Sequence, residues 1–230
     1  MPVLNEAKLI GPFLLHLRER APSAELIVAD GGSTDATRST AEPLCDQLVE
    51  SDSGRAHQLN AGASAAGGDV LWFLHADSEV PLGCLDDIRR AVADRRVAGG
   101  YFRINLPKTH AIYRLTDSFA HYAGIALRIR CGDHGFFCRR GVFVEAGGFP
   151  DVPLMEDVEF YRKLHRFGRV RAVHRRLKTS VRRYEQFGRV RVTFFYGLIA
   201  TLYALGFPLR ILARIYAATC QPSTRSRITR

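Results

Sequence analysis

The chain has 230 residues, 47% of them hydrophobic and 24% charged, which is ordinary for a globular protein of one large domain, or one domain with an appendage, around a sizeable core. Its five cysteines (Cys45, Cys84, Cys131, Cys138 and Cys220) are odd in number, scattered and without a Cys-x-x-Cys pair. That argues against a disulfide framework or a zinc ribbon and fits a reducing compartment. The net charge of +10 sits on a basic C-terminal third behind an acidic body.

Met1–Leu4 reads as the tail of a strand whose beginning lies upstream, because a first strand of an α/β sheet should carry more apolar residues ahead of Pro2. The following residues show a helix pattern, with Leu9, Ile10, Phe13, Leu14 and Leu17 on one face. No basic segment precedes an apolar one, so the first twenty residues do not read as a signal peptide. Pro12 marks either an early kink or a later true start of the helix. Leu26–Ala29 is a short buried strand running into Asp30-Gly31-Gly32-Ser33-Thr34-Asp35, where the glycines permit a tight turn and Ser33 suits the N-cap of a helix to about Glu42. Neither Gly-x-Gly-x-x-Gly nor Gly-x-x-x-x-Gly-Lys occurs there, which argues against a dinucleotide fingerprint and a P-loop. Gln47–Glu50 reads as a third strand, and Ser53-Gly54-Arg55 opens a small-residue helix over Ala56–Ala66.

Asp69–Asp77 is the stretch around which the chain is organised. Val70–Leu74 is a continuous apolar run, as expected for a strand covered on both faces, and it ends in the polar His75-Ala76-Asp77-Ser78-Glu79. Ligands of open α/β sheets collect at the carboxyl ends of strands, where a carboxylate can hold a divalent cation and, through it, a diphosphate. The plainer reading is that Asp77 caps the turn before a helix from about Leu82 to Asp94. The β-α-β-α order predicts parallel strands and a doubly wound sheet.

Further on, Gly99–Leu106 alternates like a strand, His110–Leu127 reads as helix, Gly135–Cys138 as a short strand and Arg140–Ala146 as a short helix. Glu156, Asp157 and Glu159 open a helix that ends near Phe167-Gly168, with acids in its first turn suiting the helix dipole. Val170–Val173 and Thr179–Val181 look like final strands. Residues 162–191 hold 12 basic residues against Glu185 alone, whereas 1–161 hold 16 against 22 acids. This asymmetry fits a solvated surface, a diphosphate-binding cluster, an anionic membrane or nucleic acid. Residues 192–209 carry no charge, at the lower edge of a membrane span. Gly197, Gly206, Pro208 and flanking arginines favour instead a pair of helices, packed on the body or lying on a membrane.

Four stretches in this order, Pro2-Val-Leu-Asn-Glu-Ala7, Asp30-Gly-Gly-Ser-Thr-Asp35, His75-Ala-Asp77 and Met155-Glu-Asp157, resemble the family 2 glycosyltransferases, which have the GT-A fold. More narrowly, the sequence resembles a small bacterial subgroup found beside radical-SAM and selenium- or arsenic-related genes, a label with little biochemical content. The resemblance implies an α/β, mostly parallel central sheet with C-terminal helices. It implies a glycosyltransferase domain over 1–186, with a nucleotide-sugar half at 1–98 and an acceptor half at 99–186. Apolar and basic helices over 187–220 and a basic tail over 221–230 would come after it. It further implies inverting transfer from a nucleotide sugar, usually a uridine diphosphate sugar, with Mg²⁺ or Mn²⁺.

Residue by residue, Pro2, Glu6 and Asp30 would border base and ribose, and Arg55 would lie near the nucleotide. His75-Ala76-Asp77 takes the place of the family's Asp-x-Asp, so Asp77 is the expected metal ligand and His75 a contact to nucleotide or metal, or simply a strand-end histidine. Asp157 would be the base that deprotonates the acceptor, with Glu156 in support. Gly100, Tyr101, Asp133 and His134 fall on the acceptor side. Arg182 and Arg183 would neutralise the departing diphosphate, or sit on a solvated strand end. The acceptor would be a small metabolite, a lipid or a carotenoid-like polyisoprenoid. The site of action would be the cytoplasm, with a peripheral contact on the inner membrane face through 192–218 as the extension of that reading. A second reading is a degenerate, non-catalytic module that holds membrane or nucleic acid through its basic third. Sparse aromatic–basic interleaving disfavours nucleic acid.

Overall fold

The computed structural model describes residues 1–106 and 110–220; the basic tail expected at 221–230 lies outside them. The N-terminal half alternates strands and helices as β1 (Pro2–Val3), α1 (Ala7–Arg20), β2 (Ile27–Asp30), α2 (Thr37–Ala41), β3 (Gln47–Glu50), α3 (Arg55–Ala65), β4 (Val70–Trp72) and α4 (Cys84–Ala93). β5 (Val97–Asn105), α5 (Ala111–Ala126), β6 (Phe137–Arg139), α6 (Arg140–Glu145), α7 (Glu156–Leu164) and β7 (Arg169–Lys178) come next, then α8 (Arg182–Phe187), α9 (Arg189–Ala204) and α10 (Leu209–Cys220). One sheet runs β1-β2-β3, all parallel; the other runs β4-β6-β5-β7, with β6 antiparallel to both neighbours and β5 parallel to β7.

Two compact units emerge. The first joins 1–105, 130–151 and 156–179 and holds both sheets; the second joins 106–129, 152–155 and the chain from Ser180 onward, and holds α5 and α8–α10. In the first unit, Ile10, Leu14 and Leu17 of α1 pack with Val28, Ile88, Phe102 and Phe137. A second, aromatic cluster gathers Phe73, Phe136, Phe143, Phe149 and Phe160, each side chain worth roughly 1.5–3 kcal/mol on burial. In the second unit Leu106, Tyr113, Tyr184 and Val192 form a smaller core.

The structure corrects several boundaries. α1 starts ahead of Pro12 and runs through it; Pro12 and Lys8 are exposed, so the carbonyl that Pro12 leaves unbonded faces water. α2 starts at Thr37 rather than Ser33, because the Ser33 hydroxyl is engaged by Asp30 and the Thr37 N–H donates to Asp35 Oδ1 at 3.0 Å. β4 ends at Trp72 rather than Asp77: Phe73 N–H still reaches the Phe136 carbonyl at 2.7 Å, and the chain then turns over 75–78. Thr179–Val181 forms no strand, and the strand expected over Val170–Val173 is part of the ten-residue β7. It lies at the edge of its sheet with Arg169, Arg171, His174, Arg176 and Lys178 exposed, an arrangement that blocks edge-to-edge pairing. Part of the basic third is therefore strand-edge charge. The uncharged stretch 192–209 spans most of α9 and the turn into α10, and no helix among the described residues is long and apolar enough to cross a membrane.

Candidate active site

Two loops at the carboxyl ends of β1 and β2 are laced together. Asn5 takes a positive φ of 54°, which asparagine tolerates, and its N–H donates to Ser33 Oγ at 2.9 Å. Thr34 N–H returns a bond to Asn5 Oδ1 at 2.9 Å, and Glu6 N–H donates to Thr37 Oγ1 at 2.8 Å. Asp30 is fully buried and accepts the N–H groups of Gly32 and Ser33 at 3.1 and 2.9 Å. Its carboxylate thus shapes the turn that the glycines permit. Gln58, from α3, donates to the carbonyls of Val3 and Ala29 at 2.6 and 3.1 Å and ties the two strand ends to the helix. Pro2 and Glu6 are half-buried at this rim.

A second cluster forms where α3, α7 and two loops converge. Glu156 and Asp157 open α7 and are 7% and 5% exposed. The Arg55 guanidinium, at the start of α3, lies 3.2 Å from Glu156 Oε1 and 3.9 Å from Asp157 Oδ2. Asp157 also accepts the Val158 N–H at 2.7 Å and the Gly132 N–H. Burial first, and the neighbouring Glu156 carboxylate second, push Asp157 up to about 6; Arg55 and the two N–H groups pull against that rise. A buried carboxyl held there is poised to take a proton near neutral pH.

Gly132 is glycine for want of room. A Cβ there would sit 2.7 Å from His75 Nε2 and 3.4 Å from Asp157 Oδ2. His75 and Asp157 are thus brought together around the same backbone atom. Asp77, two residues on, is exposed on the turn in which Ser78 N–H donates to the His75 carbonyl at 3.1 Å. Among the described residues no group of three or more His, Cys, Asp or Glu side chains gathers as a metal cage.

The remaining expected residues are more scattered. Asp133 is exposed on the short turn after Gly132. Gly100 and Tyr101 are buried in β5: a Cβ on Gly100 would run into the Arg171 carbonyl and the Phe137 ring. The Arg130 guanidinium lies 4.3 Å from the Tyr101 ring centre. His134 is buried, donates from Nδ1 to the Phe102 carbonyl at 2.9 Å, and is held down to about 4 by burial and by Arg130. Gly100, Tyr101 and His134 are thus as buried as Asp157; the family resemblance places them on the acceptor side. Arg182 and Arg183 belong to the second unit and open α8 rather than ending a strand; Arg183 Nη1 donates to Tyr196 Oη at 3.3 Å and to Tyr216 Oη. Gln58, part of the site's frame, does not stand out in the sequence: a glutamine inside a small-residue helix carries no local signal.

The family described as Glycosyl transferase family 2 has a sequence profile that matches residues 1–144. The chain belongs to glycosyl transferase family 2. It is a glycosyltransferase by that membership, and its fold is that of the GT-A enzymes. A mannosyltransferase from Pyrobaculum calidifontis, solved with GDP-Man and Mn²⁺, superposes with a TM-score of 0.66 at 24% identity, over 96% of this chain and 69% of that one. Glucosyl-3-phosphoglycerate synthase from Mycobacterium tuberculosis, in complex with phosphoglyceric acid, gives 0.61 at 16% identity, over 90% and 79%. TarS residues 1–349 from S. aureus give 0.64 at 15%, over 94% and 68%. At these identities the likeness shows the fold. A search of curated proteins finds no match.

Proposed function

We propose that this family 2 glycosyltransferase transfers a sugar from a nucleoside diphosphate donor to an acceptor hydroxyl with inversion, with Asp157 as the general base. The observation that carries the reading is the state of Asp157: buried, paired with Glu156, faced by Arg55 and raised to about 6. A carboxylate in that state accepts the acceptor's proton as its oxygen attacks the anomeric carbon and the diphosphate leaves from the opposite face. Glu156 supports the base by holding its pKa up, and Arg55 keeps the pair from carrying two uncompensated charges.

A divalent cation, Mn²⁺ or Mg²⁺, fits one stretch of this chain. Asp77 offers a single exposed carboxylate, which suits a cation that draws its other ligands from a diphosphate rather than from a protein cage. When bound, such a cation supplies positive charge to the leaving diphosphate. Solved proteins of this fold carry the same combination, Mn²⁺ with GDP-Man in one and Mn²⁺ with UDP-glucose in another. The base is therefore read as uracil or guanine and the acceptor as a small molecule or a lipid. The loops at the ends of β1 and β2, with Pro2, Glu6 and the Asp30 turn, are the rim on which the nucleoside rests. The test is calorimetric titration of UDP and GDP with and without Mn²⁺, into the native chain and the Asp157→Asn variant. Micromolar binding by both proteins, with sugar transfer by the native one alone, supports the reading. Normal turnover by Asp157→Asn removes Asp157 as base.

A further inference from the structure

Within the first unit, a cavity of about 470 Å³ lies between the two sheets. Leu26 and Ile27, at the start of β2, line one side of it, and the whole of β4 lines the other. Gly62 and Ala63 of α3 close one face; a Cβ on Gly62 would touch Ala29 and Ile27 of β2. Leu17 of α1 and Ile88 of α4 close the other, where they share a core with Val28. Successive residues of a strand point to opposite faces, so these helices cover both faces of the gap. The space therefore has a strand on each side and helices above and below, the surroundings of one more strand.

Both edges that face it carry unused backbone groups. On β4, Phe73 N–H donates to the Phe136 carbonyl at 2.7 Å and Arg140 N–H to the Asp69 carbonyl at 2.8 Å, so the odd-numbered residues bond β6. Antiparallel residues alternate, so Val70 and Trp72 turn their N–H and C=O groups the other way. Among the described residues none of those groups has a backbone partner. On β2, the Leu26 carbonyl accepts from Asp46 and Gln47 at the β3 side, whereas Ala29 N–H donates to the Met1 carbonyl at 2.8 Å. By the same alternation the Ile27 N–H faces the cavity.

These two features select the occupant. Backbone groups turned into an apolar cleft cost free energy when unpaired. A hydrocarbon tail would suit the side chains and leave the backbone groups unpaired; water would do the reverse. An extended apolar peptide satisfies both. Met1 gives its direction, because the Met1 nitrogen donates to the Ile27 carbonyl at 2.8 Å, the bond a strand amide makes, and β1 runs parallel to β2. Burial lowers that amine to about 5. A residue joined ahead of Met1 turns it into an uncharged amide that makes the same bond. Pro2 lies opposite Ala29, and the cavity extends back past Leu26 to Ala24, so about four residues at roughly 3.3 Å each fill it.

We propose that this cavity holds an extended apolar segment of the same polypeptide that runs directly into Met1, prolongs β1, and pairs with β2 on one side and β4 on the other. The two sheets then become one. The rim at the ends of β1 and β2 and the Asp77 turn after β4 are carried on neighbouring strands of it. With both faces covered by helices, the segment is a continuous apolar run rather than an alternating one. The proposal does not rest on the transfer reaction, so an Asp157→Asn variant is stabilised by the segment as the native chain is.

The experiment compares three proteins: the 230-residue chain, the same chain with Val-Val-Ile-Val joined ahead of Met1, and the same chain with Asp-Pro-Asp-Pro there. The apolar extension should raise the melting temperature by about 10 °C. It should also slow hydrogen exchange at the Ile27, Val70 and Trp72 amides by at least about tenfold. The Asp-Pro extension, which cannot pair and carries charge, should do neither. Equal melting and equal exchange with the two extensions overturn the proposal. Mass spectrometry of the protein from its natural cells reads the segment itself: an apolar run joined to Met1 supports the proposal, and a protein whose first residue is Met1 overturns it. Protection of the three amides in the 230-residue chain that is lost on dilution, with a dimer by light scattering, assigns the cavity to a strand from a second copy and overturns it too.

Discussion

Replacing Arg55 by glutamine isolates the electrostatics of the acid pair. Burial and Glu156 raise Asp157 to about 6 while the Arg55 guanidinium opposes them. A unit charge at the observed 3.9 Å contributes about 4 kcal/mol at an effective dielectric near 20. The Arg55 side chain is 40% exposed, so water screens most of that interaction, and about 1.4 kcal/mol, or roughly one pH unit, remains. Losing the cation makes the ionised form less favourable, so the carboxyl rises from about 6 to about 7. The base works only when deprotonated, and the rising limb of the pH–rate profile moves up by the same amount. At pH 6 the variant should lose about fivefold in rate, and at pH 8 only about a tenth. Transfer or donor hydrolysis measured across that range reads the effect. A carboxyl ¹³C-NMR titration, with Asp157→Asn to assign the resonance, reads it without substrate. A limb that stays in place, or an equal loss at pH 6 and pH 8, would refute the reasoning and return Arg55 to the nucleotide contact expected from sequence.

Asp77→Asn should weaken Mn²⁺-supported UDP or GDP binding by at least about tenfold and leave metal-free binding unchanged; calorimetry decides it, and an undiminished Mn²⁺ effect removes Asp77 from the metal. Asp157→Asn should stabilise the fold in a pH-dependent way. A carboxyl raised from the ordinary range near 4 to about 6 weakens nothing at pH 4, and by pH 8 it has cost the native state roughly 1–3 kcal/mol. The variant should therefore melt a few degrees above the native chain at pH 8 and level with it at pH 4. The same gain at both pH values would mean that Asp157 titrates in its ordinary range.

The elements most legible in the sequence are those with a strong period or strong punctuation. The apolar face of α1, the strand before Asp30 and the helix after Gly54 follow from local chemistry and came within a residue or two. What failed was decided by partners distant in sequence. Ser33 is a good N-cap, yet Asp30 takes its hydroxyl and the helix begins four residues later. β4 loses its last residues because pairing with β6 runs out at Phe136–Phe137, more than sixty residues away. How Tyr101 and His134, expected on the acceptor side, pack with Arg130 and the Phe102 carbonyl is likewise a tertiary fact with no local signal. Asp157 and Arg55 were each visible as charged residues at helix starts. Their pairing, a hundred residues apart, was not.

That pairing also gives a physical account of the one departure from the family's motif. His75 stands where an acid is usual, and its ring and the Asp157 carboxylate both lie within 3.4 Å of the point a Gly132 side chain would occupy. An acid at 75 would set a third carboxylate against Glu156 and Asp157 with the half-exposed Arg55 as the cation ion-paired to the pair. Like charges in a buried site each raise the others' pKa, so a third would drive Asp157 further towards its protonated form, in which it cannot accept a proton. An imidazole adds no negative charge in either of its states. The substitution therefore protects the proposed base, and it leaves Asp77, exposed on its turn, as the one carboxylate of the motif for a cation.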